Sequence, residues 1–159
     1  MRIGLDFDNT IACYDQVFVD TAKQEGFLSE TWQGGKREVR DFLRSTNNGE
    51  ETWQVLQGKV YGLGMHRAQL KPGVGWFFHY CRARRIPVVI ISHKTEYSPK
   101  DLTKTPLREV ALDWMTTQRF FDPMGFDLQR ENVYFESTRI EKVERIKHLA
   151  CTHFVDDLP

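Results

Sequence analysis

The chain has 159 residues, 40% apolar and 28% charged, enough for one core and a small insertion in a globular protein. Lysine plus arginine equals aspartate plus glutamate at 22 each, so no net field favours nucleic acid or an anionic membrane surface. Three scattered cysteines (Cys13, Cys81, Cys151) indicate no disulfide framework, and no apolar run approaches the ~20 residues that span a bilayer.

Met1-Arg2-Ile3 leads straight into a strand-like run, so the expectation is a cytoplasmic protein without nucleic-acid or membrane partners. The sequence sets no oligomeric state. Arg2 to Phe7 reads as a buried strand. Tyr14, Val17, Phe18, Thr21 and Ala22 then recur at helical spacing until Gly26 ends the run. Residues 28–69 turn polar, with Trp32, Phe42, Trp53 and Tyr61 among charges, and short helices fit 36–45 and 50–60. Pro72 suits a first helical turn, and Val74, Phe77, Phe78 and Cys81 form one apolar stripe.

Ile86 to Ile91 is a continuous apolar run typical of a parallel strand covered on both faces, ending in Ser92-His93-Lys94-Thr95. A helix near 105–118 and a strand Asn132 to Phe135 follow. Thr138-Arg139-Ile140-Glu141 has capping-box spacing and opens a helix of about ten residues. Thr152 to Val155 is the last strand. Strands alternating with helices predict a parallel α/β sheet, whose ligands sit outside the carboxyl ends of the strands.

Asp6, Asp8, Ser92, Asp156 and Asp157 all fall at such ends. Asp6 and Asp8, with one residue between them, point the same way on an extended chain. Burying carboxylates without a counter-charge costs several kcal/mol or protonates them, so two acidic pairs at strand ends predict one divalent-cation site. Oxygen ligands with several retained waters suit Mg²⁺ shared with a substrate phosphate. Lys142, in the first turn of the capped helix, is the candidate lysine for a transferring phosphoryl group, and Lys147 is the alternative farther along.

Asp6-Phe7-Asp8-Asn9-Thr10, the strand-terminal Ser92, a helix-borne lysine and the Asp156-Asp157 pair resemble the four motifs of the haloacid dehalogenase superfamily, in order along the whole chain. The resemblance implies a doubly wound, Rossmann-like parallel sheet core from 1–12 and 70–159. It also implies a small helical cap inserted at 13–69, a stretch too long for a simple crossover. It makes Asp6 the nucleophile and Asp8 the acid and base. Ser92 and Lys142 would hold phosphoryl oxygens. Asp6, the backbone carbonyl of Asp8, and Asp156 would bind Mg²⁺, with Asp157 as a ligand or beside one. Thr10, His93 and Lys94 are the candidate substrate contacts.

An acid at Asp8 fits the phosphatases and phosphomutases of this family rather than its dehalogenases, because an alkoxide leaving group needs a proton and a halide does not. The implied activity is hydrolysis of a small phosphorylated metabolite. His93-Lys94-Thr95-Glu96-Tyr97 and Asp156-Asp157-Leu158-Pro159 look like small members linked to sugar-nucleotide pathways, which leans the reading towards a phosphosugar. Phosphomutase and nucleotidase are the alternatives within the family. Members usually continue beyond the acidic pair, so a minimal sheet or a truncated product is expected here.

Rival readings fare worse. A calcium loop on Asp6-Phe7-Asp8-Asn9-Thr10 would need Gly and Glu where Ile11 and Val17 stand. A P-loop at Gly35-Lys36 lacks its first glycine and its hydroxyl residue. His148, Cys151 and His153 have no second pair at zinc spacing. Arg37, Arg40 and Arg44 read as a solvated helix face. A phosphate-accepting signalling receiver would carry its adjacent acids early and its phosphorylated aspartate in the middle, the reverse of this order. A catalytically silent binding protein is the remaining alternative.

Overall fold

The computed structural model describes residues 1–101 and 103–157; Leu158 and Pro159, which close the Asp156-Asp157-Leu158-Pro159 segment, lie outside them. The described residues form a mixed α/β fold with six α-helices and a four-stranded parallel sheet. None of these helices is long and apolar enough to cross a membrane.

Strand β1 (Ile3–Leu5) lies inside the sheet, between β4 (Val88–His93) and β6 (His153–Val155), with β5 (Val133–Glu136) beyond β4. The register pairs Leu5 with both Ile90 and Val155. β-Branched residues dominate β4, and Val88 through Ser92 are all buried, as a strand covered on both faces requires. This strand runs two residues beyond the apolar run, so Ser92 and His93 belong to it rather than to the following loop. Gly4 is needed for close packing: a Cβ there would fall 2.5 Å from the Phe154 ring.

β1 is shorter than the apolar run suggests. The chain turns back directly after Phe7, with Ile11 and Ala12 donating to the Phe7 carbonyl at 2.9 and 3.0 Å. Asn9 takes the left-handed conformation at this turn, which asparagine tolerates better than most residues. The turn starts a short strand, β2 (Ala12–Cys13), paired antiparallel with β3 (Gln69–Leu70). This two-stranded ribbon has no sequence signature of its own. It brings together the two ends of the helical stretch that contains α1 (Asp15–Gln24), α2 (Lys36–Arg44) and α3 (Gly49–Tyr61).

The helical stretch packs on the sheet through a shared core. Phe18 of α1 stacks on Trp53 of α3 with centroids 5.0 Å apart, and both are buried. Trp114, on α5 (Leu107–Thr117), donates its indole N–H to the Ala68 carbonyl at 2.9 Å and meets Phe7 edge-on. Pro72 precedes α4 (Val74–Ala83), outside its first turn; Gly73, at positive φ, is the N-cap residue. α6 (Arg139–His148) carries the expected capping box: Thr138 Oγ1 accepts from the Glu141 N–H at 3.1 Å, and Glu141 Oε2 accepts from the Thr138 N–H at 2.9 Å.

Candidate active site

Parallel register determines where the acids emerge. Because Leu5, Ile90 and Val155 are aligned in parallel register, the residues after them lie at the same carboxyl end of the sheet, and the Asp6 N–H donates to the Val155 carbonyl at 2.9 Å. Asp6, Asp8, Ser92, Asp156 and Asp157 line one cavity of about 780 Å³. The helical stretch also lines it, through Lys36 of α2 and Gln54, Gln57 and Tyr61 of α3.

Lys142 ties two distant strand ends together. Its ammonium donates to Asp6 Oδ1 and to Asp156 Oδ2, both at 2.7 Å. Lys142 is the one buried residue of α6, placed there by the capping box that fixes the first turn. Burial works against this ammonium, but the hydrogen bonds to Asp156 and Asp6 outweigh it and raise its pKa above the ordinary value. Lys147 is solvent-exposed and does not line the cavity, so the helix presents Lys142 and not its alternative.

Asp8 has a different environment. Lys94 pairs with its Oδ2 at 2.8 Å and its Oδ1 at 3.2 Å, and the Tyr14 hydroxyl donates to Oδ1 at 2.5 Å. Lys94 is itself buried, with its Nζ 5.6 Å from the Phe7 ring centroid and 5.3 Å from that of Tyr61. Burial pushes the Tyr14 phenol well above its ordinary value, and the Asp8 charge adds to the shift, so the hydroxyl stays a donor.

Asp6, Asp156 and Asp157 each offer a carboxylate oxygen within 4.8 Å of the others. Three hard oxygen donors at this spacing suit a Mg²⁺ ion that keeps water in its remaining positions. Burial raises the Asp6 carboxyl above its ordinary value; Lys142 opposes the shift, and the charges of Asp8 and Asp156 add to it. Asp157 is raised as well, first by burial and then by Asp156, against the pull of Lys36. Like charges gathered in a partly dry pocket favour either protons or a cation.

The remaining candidate residues divide. His93 lines the cavity, but its Nε2 lies 3.1 Å from the Ser137 carbonyl. Lys94 lines it too and is engaged with Asp8. Thr10 is not on the cavity wall; its hydroxyl is buried and has no hydrogen-bond partner among the described residues. Three residues escaped the sequence reading: Tyr14, read only as a helix-face position; Tyr61, read only as an aromatic among charges; and Lys36, considered only as part of a failed P-loop. Contacts across the fold reveal them, and no local spacing signals them. The chain matches no protein-family model and no curated protein.

Proposed function

We propose that the chain is a Mg²⁺-dependent phosphatase of the haloacid dehalogenase type, hydrolysing small phosphomonoesters through an aspartyl phosphate on Asp6. The observation that carries this reading is the Lys142 ammonium, held at 2.7 Å from both Asp6 and Asp156, with Asp8 and Ser92 on the wall of the same cavity. A strand order with β1 between β4 and β6 is what a doubly wound, Rossmann-like core would have. The ribbon that joins the ends of 13–69, and the wall this stretch contributes, support its reading as a cap that restricts water and selects substrate.

In this reading an Asp6 carboxylate oxygen attacks phosphorus and the bond to the leaving alkoxide breaks. Asp8 gives that oxygen a proton. A water then attacks the aspartyl phosphate, Asp8 takes its proton, and Asp6 departs as carboxylate with release of inorganic phosphate. Lys94 and Tyr14 hold Asp8 in one orientation throughout. Ser92 and Lys142 grip the phosphoryl oxygens. Asp6, Asp156, Asp157 and the Asp8 carbonyl would hold Mg²⁺, which neutralises charge on those oxygens. Asn9, Gln54, Gln57 and Ser98 on the cavity wall offer hydrogen bonds suited to a polyhydroxylated leaving group, supporting a phosphosugar.

Asp6→Asn tests the reading directly. Release of 4-nitrophenol from its phosphate ester should fall by roughly 10³-fold or more, the scale of removing a covalent nucleophile. A variant with an unchanged circular dichroism spectrum and near wild-type turnover would remove Asp6 from the chemistry.

A further inference from the structure

Lys36 is the first residue of α2, where a cation opposes the positive end of the helix dipole. Its ammonium lies among rings, with Nζ 5.3 Å from the Phe18 centroid and 5.6 Å from that of Tyr61. It lines the cavity and donates to the Tyr61 hydroxyl at 2.9 Å. The other cavity lysines have carboxylate partners: Lys94 pairs with Asp8, Lys142 with Asp6 and Asp156, and Lys100 with Glu51. Among the described residues, Lys36 forms no such ion pair. Burial lowers its pKa, while the more distant charges of Asp157, Asp8 and Asp15 hold the proton on and Arg40 opposes them. A half-buried ammonium, set against a helix dipole and without a carboxylate in contact, is an unfavourable arrangement that an anionic ligand would relieve.

Its position says which part of a ligand that would be. Lys36 and Lys94 lie against the same Tyr61 ring, and Lys94 holds Asp8, the group assigned to the leaving oxygen. Lys36 enters the cavity from α2 in the helical stretch, whereas the groups that would grip the phosphoryl group come from the strand ends and α6. The cavity, at about 780 Å³, has room for a whole metabolite.

We propose that Lys36 binds a second anionic group, a carboxylate or a second phosphate, on the leaving alcohol. The preferred substrates are then phosphomonoesters whose alcohol is itself charged. This proposal rests on the phosphatase reading above. A lysine that merely offset the neighbouring acids would affect every substrate alike, whereas a lysine that reads the leaving group affects charged ones selectively.

Phosphate release from three probes separates these cases: glucose 6-phosphate (neutral alcohol), 6-phosphogluconate (carboxylate) and fructose 1,6-bisphosphate (second phosphate). Wild-type protein should favour at least one charged ester in kcat/KM, and the preferred one identifies the group. Lys36→Met should shrink that preference by about tenfold or more, mainly through KM, and Lys36→Arg should keep most of it. Binding of 6-phosphogluconate and fructose 1,6-bisphosphate to the Asp6→Asn protein without metal, followed by calorimetry, should weaken when Lys36→Met is added. A wild-type preference for the neutral ester, equal losses on all three probes, or unchanged calorimetric affinity for both ligands overturns the proposal. If wild-type protein hydrolyses neither these esters nor 4-nitrophenyl phosphate, the phosphatase reading fails instead, and calorimetry alone decides whether Lys36 binds anions.

Discussion

Asp6 and Asp8 are two residues apart and live in different surroundings. Asp6 is buried against Lys142, while Asp8 lies farther out between Lys94 and the Tyr14 hydroxyl. Environment, more than residue type, divides labour between paired carboxylates. The division predicts an asymmetric response to Asp8→Asn. Hydrolysis of an alkyl phosphate should drop by roughly 10²–10⁴-fold, the range general acid catalysis supplies, and hydrolysis of an activated aryl phosphate should drop less. Steady-state rates on the two esters check this; equal losses would take the proton-donor role away from Asp8. The pairing with Lys94 was beyond reach of the sequence, since 86 residues separate the partners and only the alignment of β1 with β4 brings them together.

Elements earn their place here by what they point at the strand ends. α6 starts where Thr138 and Glu141 satisfy each other's N–H groups, and that start places Lys142 one turn in, beneath Asp6 and Asp156. Thr138→Ala should destabilise the protein by about 1 kcal/mol in urea unfolding and loosen the turn that aims Lys142. A raised KM for a phosphate ester should accompany the lost stability. If the stability falls and KM stays, Lys142 is positioned by its carboxylate partners and not by the cap. This box was legible because its spacing is local. The β2–β3 ribbon was not, because two-residue strands carry no periodicity and partners 56 and 58 residues away in sequence supply their pairing.

At the scale of the whole molecule, three carboxylates from the first and last strands converge, and the fold bears their mutual repulsion. Asp6 and Asp157 both have pKa values raised above the ordinary 3.8. The stability these groups contribute is therefore complete below that value and is lost as pH rises through the raised ones. At neutral pH the ionised cluster destabilises the metal-free protein, and a divalent cation should reverse the effect. Mg²⁺ at 100 times its Kd should add about 2.7 kcal/mol, several degrees in Tm at pH 7. The gain should shrink towards pH 4 as the carboxyls protonate. Differential scanning fluorimetry with Mg²⁺ or EDTA measures both, and a Tm indifferent to Mg²⁺ at pH 7 would dissociate these acids from metal binding. The amino-acid sequence alone determined the order of the long elements, the continuous apolar run through Ile91, the capped helix and the strand-end location of the acids, because each depends on residues within a few positions of one another. Only the tertiary structure decided that Lys142 and not Lys147 meets Asp6, that Lys94 holds Asp8, and that Lys36 enters the cavity from α2. Those pairings depend on how sheet register and helix docking place side chains from distant segments against one another, and no local pattern encodes that.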